Sequence, residues 1–291
     1  MISNSPVRVA DSFHKPELSN VPETAWNALA AKRIYFGHMS VGDNVVAGVE
    51  DIMQTNPQIR LRIESTSDPA EFDGPIFAHS HLGKNGDPYS KLHAFADLLD
   101  ARLADYVNIA FFKFCYADVT AGTDVAALFA EYRETMDRLQ RSHPQVTLVH
   151  VTVPLTVHRT GFKVGVMRLL GRPDDNENRS RFNDMLRTHC VGCAPLFDLA
   201  RYEATIHNGV VERYDHNGLR VESLCATYTD DGGHLNIVGR QTAAEALLVV
   251  LARCVDRMNS CDSLGPVQIS NAEGESRAPS STKPDRRSER V

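Results

Sequence analysis

RIYFGHMSVGDNVVAGVEDIMQTNP, residues 33–57, sets two hydrophobic periods end to end. RIYFGH at 33–38 is short, apolar and aromatic, and reads as a buried strand. From about 43 to 55, Val45, Val46, Val49, Ile52 and Met53 recur at helical spacing, so one face of a helix is apolar and Asn56-Pro57 ends it. A strand that runs straight into a helix is the first half of a βαβ unit.

The pattern repeats outward. IRLRIES at 59–65 alternates with period two and predicts a second strand. A loop with Pro69, Gly74 and Pro75 leads to IFAHSHLG, and residues 89–104 carry Leu92, Phe95, Leu98, Leu99 and Leu103 at helical spacing. NIAFFKFCY at 108–116 is a nearly continuous apolar strand. The segment 124–141 keeps Val125, Leu128, Phe129, Tyr132, Met136 and Leu139 in one stripe before Pro144. VTLVHVTVPL at 146–155 reads as a strand buried on both faces. Strands alternating with helices in this way imply an α/β fold with three α/β/α layers around a mainly parallel sheet. Right-handed crossovers then bring the functional loops to the carboxyl ends of the strands.

Three segments depart from the alternation. Residues 22–32 form a short entry helix, and 206–224, with Asn208-Gly209 and Asn217-Gly218, predict a small β-meander insertion. A last helix spans about 236–258. The domain is expected over 22–261, between an irregular arm at 1–21 and a tail at 262–291 whose Ser, Pro, Gly and charge predict disorder.

Composition limits the function. With 42% hydrophobic and 23% charged residues among 291, the chain falls in the globular range. Its 31 basic and 37 acidic residues give a net charge of −6, which disfavours a nucleic-acid partner. The longest apolar stretch, AEALLVVLARCV at 244–255, is shorter than the roughly 18 residues needed to span a bilayer. No signal-peptide run opens the chain. Six scattered cysteines read as reduced thiols, so the expectation is a cytoplasmic protein with no membrane partner. Neither phosphate-loop motif follows the first strand, so no nucleotide cofactor is expected.

Two sites could carry chemistry. Ser40, two residues past the first strand and at a helix start, would expose its hydroxyl where the helix terminus favours a developing oxyanion. A helix cap would use the same residue. In Asp231-Gly232-Gly233-His234, the three-residue spacing lets a carboxylate reach the ring and fix its tautomer, as a base that activates a serine requires.

Together, and in this chain order, Ser40 and the Asp231-x-x-His234 pair resemble the SGNH, or GDSL-like, hydrolase family over about 33–258. The resemblance implies a flavodoxin-like α/β/α fold and a metal-free serine esterase or acyltransferase. Its substrate would be an acylated small molecule or carbohydrate. The family's Gly-Asp-Ser is here His38-Met39-Ser40, and its Gly-x-Asn-Asp block is absent. Oxyanion donors are therefore sought in Gly83-Lys84-Asn85-Gly86, with Asn85 and either Gly83 or Gly86 as candidates, although an Asn-Gly turn accounts for the same residues. Cys115 and Tyr116 end a buried strand near the presumed site and could line an acyl pocket or simply pack.

Rival readings start from other residues. His79 and His81 share one strand face and, with Asp73, Asp87, Asp230, Asp231 and His234, could build an N/O metal site, giving a metal-dependent hydrolase. His189-Cys-Val-Gly-Cys193 suggests half a zinc site or a redox pair, against structural thiols. A catalytically inactive binding module is the third alternative. The meander at 206–224 and the segment 156–180, with Gly161, Gly165 and Gly171, are candidate lids over the site.

Overall fold

The expected alternation is present in a computed structural model, which describes residues 13, 15, 17–158 and 174–262. Six parallel strands form one sheet: β1 (Arg33–His38), β2 (Ile63–Ser65), β3 (Ile76–His81), β4 (Ile109–Phe112), β5 (Thr147–Val151) and β6 (Leu196–Phe197). Their order is β2-β3-β1-β4-β5-β6, with every pairing parallel. Without the three-residue edge strand β2, the order becomes the 2-1-3-4-5 of flavodoxin-like sheets.

Period-two alternation divides β1 between two cores. Ile34 and Phe36 pack with α1 (Glu23–Ala30), α2 (Val41–Thr55) and α7 (Ile237–Asp262), through residues such as Trp26, Val45, Val49 and Leu247. Tyr35 points the other way, toward α3 (Pro88–Leu98), α4 (Val125–Ser142) and α5 (Asp175–Cys190), through Leu92, Phe95, Leu128 and Phe182. Each buried Leu or Phe contributes on the order of 1.5–3 kcal/mol through removal from water. The sheet is thus covered on both faces, as its apolar strands require.

Local signals set the boundaries. The Asp87 side chain caps α3 through the Ser90 N–H ahead of Pro88, and Asp124 caps α4 through the Ala127 N–H. The IRLRIES strand is shorter than the pattern suggests, with Ile63–Ser65 alone pairing at the sheet edge. NIAFFKFCY likewise pairs only over Ile109–Phe112, and its last residues leave the ladder to build the site. The predicted meander is a hairpin of β7 (Arg213–His216) and β8 (Leu219–Glu222), preceded by one bridge from Thr205 to Val211. Its turn, Asn217-Gly218, has φ of 49° and 79°, the paired positive values of a type I′ turn. A short helix, α6 (Leu199–Glu203), follows β6.

No helix among the described residues is long and apolar enough to cross a membrane. Cys115, Cys190, Cys193, Cys225 and Cys254 are free thiols, so Cys190 and Cys193 form no disulfide. Most of the second candidate lid, residues 159–173, and the tail beyond 262 lie outside the described residues.

In the sheet order β1 lies between β3 and β4, next to the switch point where successive strands begin to be added on the other side. In open α/β sheets, ligands bind at the carboxyl ends of the strands beside that point. The first turn of α2, the residues after β4 and the loop before α7 meet there.

Candidate active site

Strand β1 ends at His38, and the chain reverses into α2 through Ser40, whose φ and ψ are 58° and −108°. A serine in this region is strained by about 1–3 kcal/mol. The strain belongs to a sharp strand-to-helix elbow, which turns the side chain out of the sheet and leaves the hydroxyl unused as a helix cap.

His234 meets that hydroxyl. Its Nε2 lies 2.6 Å from Ser40 Oγ, across 194 positions of sequence, and its Nδ1 lies 2.6 Å from Asp231 Oδ2. Asp231 accepts further hydrogen bonds from the backbone N–H groups of Gly233 and His234, both to Oδ1. The imidazole hydrogen bond and these two N–H groups hold its carboxyl well below the usual carboxylate range. An ionised Asp231 places the ring proton on Nδ1, so Nε2 is the acceptor for the Ser40 O–H. The loop is anchored on both sides: the Leu235 N–H donates to Asn44 Oδ1 of α2, and the Val157 N–H donates to the Gly232 carbonyl.

Tyr116, beyond the end of β4, completes the cluster. Its hydroxyl lies 3.5 Å from His234 Nε2, and the two rings meet edge to face. Burial and the nearby Asp231 charge raise its pKa, so it stays a hydrogen-bond donor. Arg179 of α5 fixes the backbone here, donating from Nε to the Tyr116 and Val119 carbonyls.

The 83–87 loop packs beneath. Asn85 Oδ1 accepts from Lys91 Nζ, which also donates to Asp118 Oδ2 in a buried ion pair. Asp118 takes the N–H groups of Gly86 and Cys115 as well. The Gly86 N–H is thus committed to Asp118, leaving Gly83 as the glycine to consider for an oxyanion. Cys115 is buried, with its thiol donating to the Met39 carbonyl rather than facing His234.

The remaining sequence candidates divide. His79 and His81 do share a face, and the β1–β3 register sets His38 beside His81 and Phe36 beside His79. Asp43, from the first turn of α2, joins them, with Oδ1 accepting from His81 Nε2 at 2.9 Å. Asp73 and Asp87 serve other contacts, with Arg62 and as the cap of α3, and Asp230 pairs with Asn236. Burial pushes the His38 pKa down to about 3, so its ring is neutral. Tyr116 was legible as a possible pocket-lining residue and not as a hydroxyl beside His234, and Asp43 was not legible as a site residue. A tyrosine at a strand end reads as core, and an aspartate in a first helical turn reads as a partner for the helix dipole.

No protein-family model matches the chain, and no curated protein matches it either. Solved structures do align with much of it. A protein assigned to the G-D-S-L lipolytic family, from Desulfitobacterium hafniense, aligns at 8% identity over 75% of this chain and 99% of its own, with a TM-score of 0.44. A GDSL-like lipase from Parabacteroides merdae aligns at 10% identity over 77% and 98%, with a TM-score of 0.44. Phospholipase A1 from Streptomyces albidoflavus aligns at 13% identity over 77% and 99%, with a TM-score of 0.38. At such identities and TM-scores these alignments assign no chemistry to this chain.

Proposed function

We propose that this protein is a serine-dependent ester hydrolase or acyltransferase that works through an acyl-enzyme on Ser40. The observation that carries the reading is the continuous chain Ser40 Oγ, His234 Nε2, His234 Nδ1, Asp231 Oδ2, with both links at 2.6 Å. A nucleophile, its base and the base's orienting group within hydrogen-bond reach define this class of chemistry.

In the proposed reaction, His234 Nε2 takes the Ser40 proton as Oγ attacks the ester carbonyl carbon. Asp231 holds the Nδ1 proton and stabilises the imidazolium. The carbonyl π pair moves onto oxygen, which faces the Tyr116 O–H, with the Gly83 N–H and the Asn85 amide as further donors. The carbon–oxygen bond to the alcohol then breaks, and the alcohol leaves with the proton from Nε2. Water or a second alcohol repeats the sequence in reverse and frees Ser40. The Ser40 backbone N–H, at the start of α2, is a further oxyanion donor in this reading. The substrate class is an acylated small molecule or carbohydrate, reached by a site whose His234 and Asp231 side chains are about half exposed, 45% and 57%.

A fluorophosphonate probe tests the assignment. Labelling of folded protein at Ser40, found by peptide mass spectrometry and lost in Ser40→Ala, supports it. Folded protein that neither labels nor hydrolyses p-nitrophenyl acetate overturns it.

A further inference from the structure

The histidines on the other flank of the elbow point to a second site. His38 is fully buried, yet its Nδ1 has no hydrogen-bond partner. Its Nε2 lies 2.9 Å from His79 Nδ1. If Nε2 donates there, Nδ1 presents a bare lone pair toward Asp43 Oδ1, 3.7 Å away, and two acceptors face each other. If Nδ1 instead carries the proton, the gap is too long for a hydrogen bond. Leaving a buried polar atom unpaired costs about 1–3 kcal/mol, so an arrangement that keeps one asks for a ligand.

We propose that His38 Nδ1, Asp43 Oδ1 and His81 Nε2 bind one divalent transition-metal ion on the outer flank of the elbow. One ligand atom from each of the three residues lies within 4.8 Å of the other two. Two of the gaps, 3.7 and 2.9 Å, bracket the about 3.3 Å separation of neighbouring ligands around a tetrahedral ion with bonds of about 2.0–2.1 Å. Two imidazoles and a carboxylate are borderline donors that suit Zn²⁺ and its neighbours over Mg²⁺ or Ca²⁺.

The surroundings fit a metal ligand set. His79 receives the far ring proton of His38, the outer contact that fixes a ligating imidazole's tautomer. The His81 and Asp43 side chains are 64% and 46% exposed, which gives the ion an entry path and room for water. On binding, the proton that His81 Nε2 now donates to Asp43 moves to Nδ1 or to solvent, and the metal–nitrogen bond takes its place. Gly42 keeps the pocket open, because a Cβ there would stand 2.6 Å from His38 Nδ1. The site stands on these contacts alone and holds whether or not Ser40 is a nucleophile.

Calorimetric titration of chelator-stripped full chain with Zn²⁺, and visible spectroscopy with Co²⁺, test the proposal. One equivalent should bind, with Co²⁺ d–d bands of low-coordinate N/O ligation and a rise in melting temperature. Asp43→Asn and His81→Ala, both at exposed side chains, should each weaken binding by about 10- to 100-fold or more, while His234→Ala binds like the parent. Binding that survives in both Asp43→Asn and His81→Ala overturns the site. So does loss of binding in His234→Ala, or the absence of stoichiometric binding by folded parent protein.

Discussion

The two flanks of the β1–α2 elbow use the same residue types to opposite effect. Toward α7, the histidine has a hydroxyl on one nitrogen and a carboxylate on the other, and that carboxylate collects two backbone N–H groups besides. Toward β3, a histidine is buried with one nitrogen unmatched, and the nearest carboxylate is turned to a different ring. A complete chain of donors and acceptors is poised to move a proton. An incomplete one, closed to water on one side, is poised to receive a cation.

The sharpest way to break the comparison is to remove the centre of the satisfied flank. Ser40→Ala should lower ester turnover by about a million-fold while shifting melting temperature little, since alanine meets the same backbone strain. Asp231→Asn should lower kcat by about 10⁴-fold, because an amide can donate to Nδ1 and thereby favours the wrong tautomer. Tyr116→Phe removes one donor to the oxyanion and should cost about 10²- to 10³-fold in kcat with KM nearly unchanged. On the other flank, Gly42→Ala drives a Cβ to 2.3 Å from His38 Cβ and should destabilise the fold by about 1–3 kcal/mol in urea unfolding.

A smaller effect lies outside both flanks. Burial raises the Glu203 pKa to about 8, against the 4.5 of a free carboxyl. The folded state therefore holds a proton that the unfolded chain releases above about pH 4.5, and stability falls as pH rises toward 8. Glu203→Gln should remove that slope, with a melting temperature matching the parent near pH 4 and exceeding it by a few degrees at pH 8.5.

Sequence patterning reached the layers because β1, β4, β5 and the helices around them carry long, regular apolar periods. It overextended IRLRIES, where alternation continues through residues that no neighbouring strand pairs, and it passed over β6, whose two residues are too few for any period. Ser40 and His234 were legible because their chemistry is tied to the strand end and the final helix start. Tyr116 read only as pocket lining or core, since its place beside His234 depends on where the chain goes after leaving the β4 ladder. The His38–His81 pairing depends on register between β1 and β3, and Asp43 on how α2 sets against both, so neither follows from spacing along the chain.

The backbone at Ser40 has an evolutionary corollary. Glycine occupies positive φ without penalty, so Ser40→Gly would relieve the strain of the elbow and give greater thermal robustness at the expense of the hydroxyl. A serine at this position is thus a liability that neutral substitution would tend to erase.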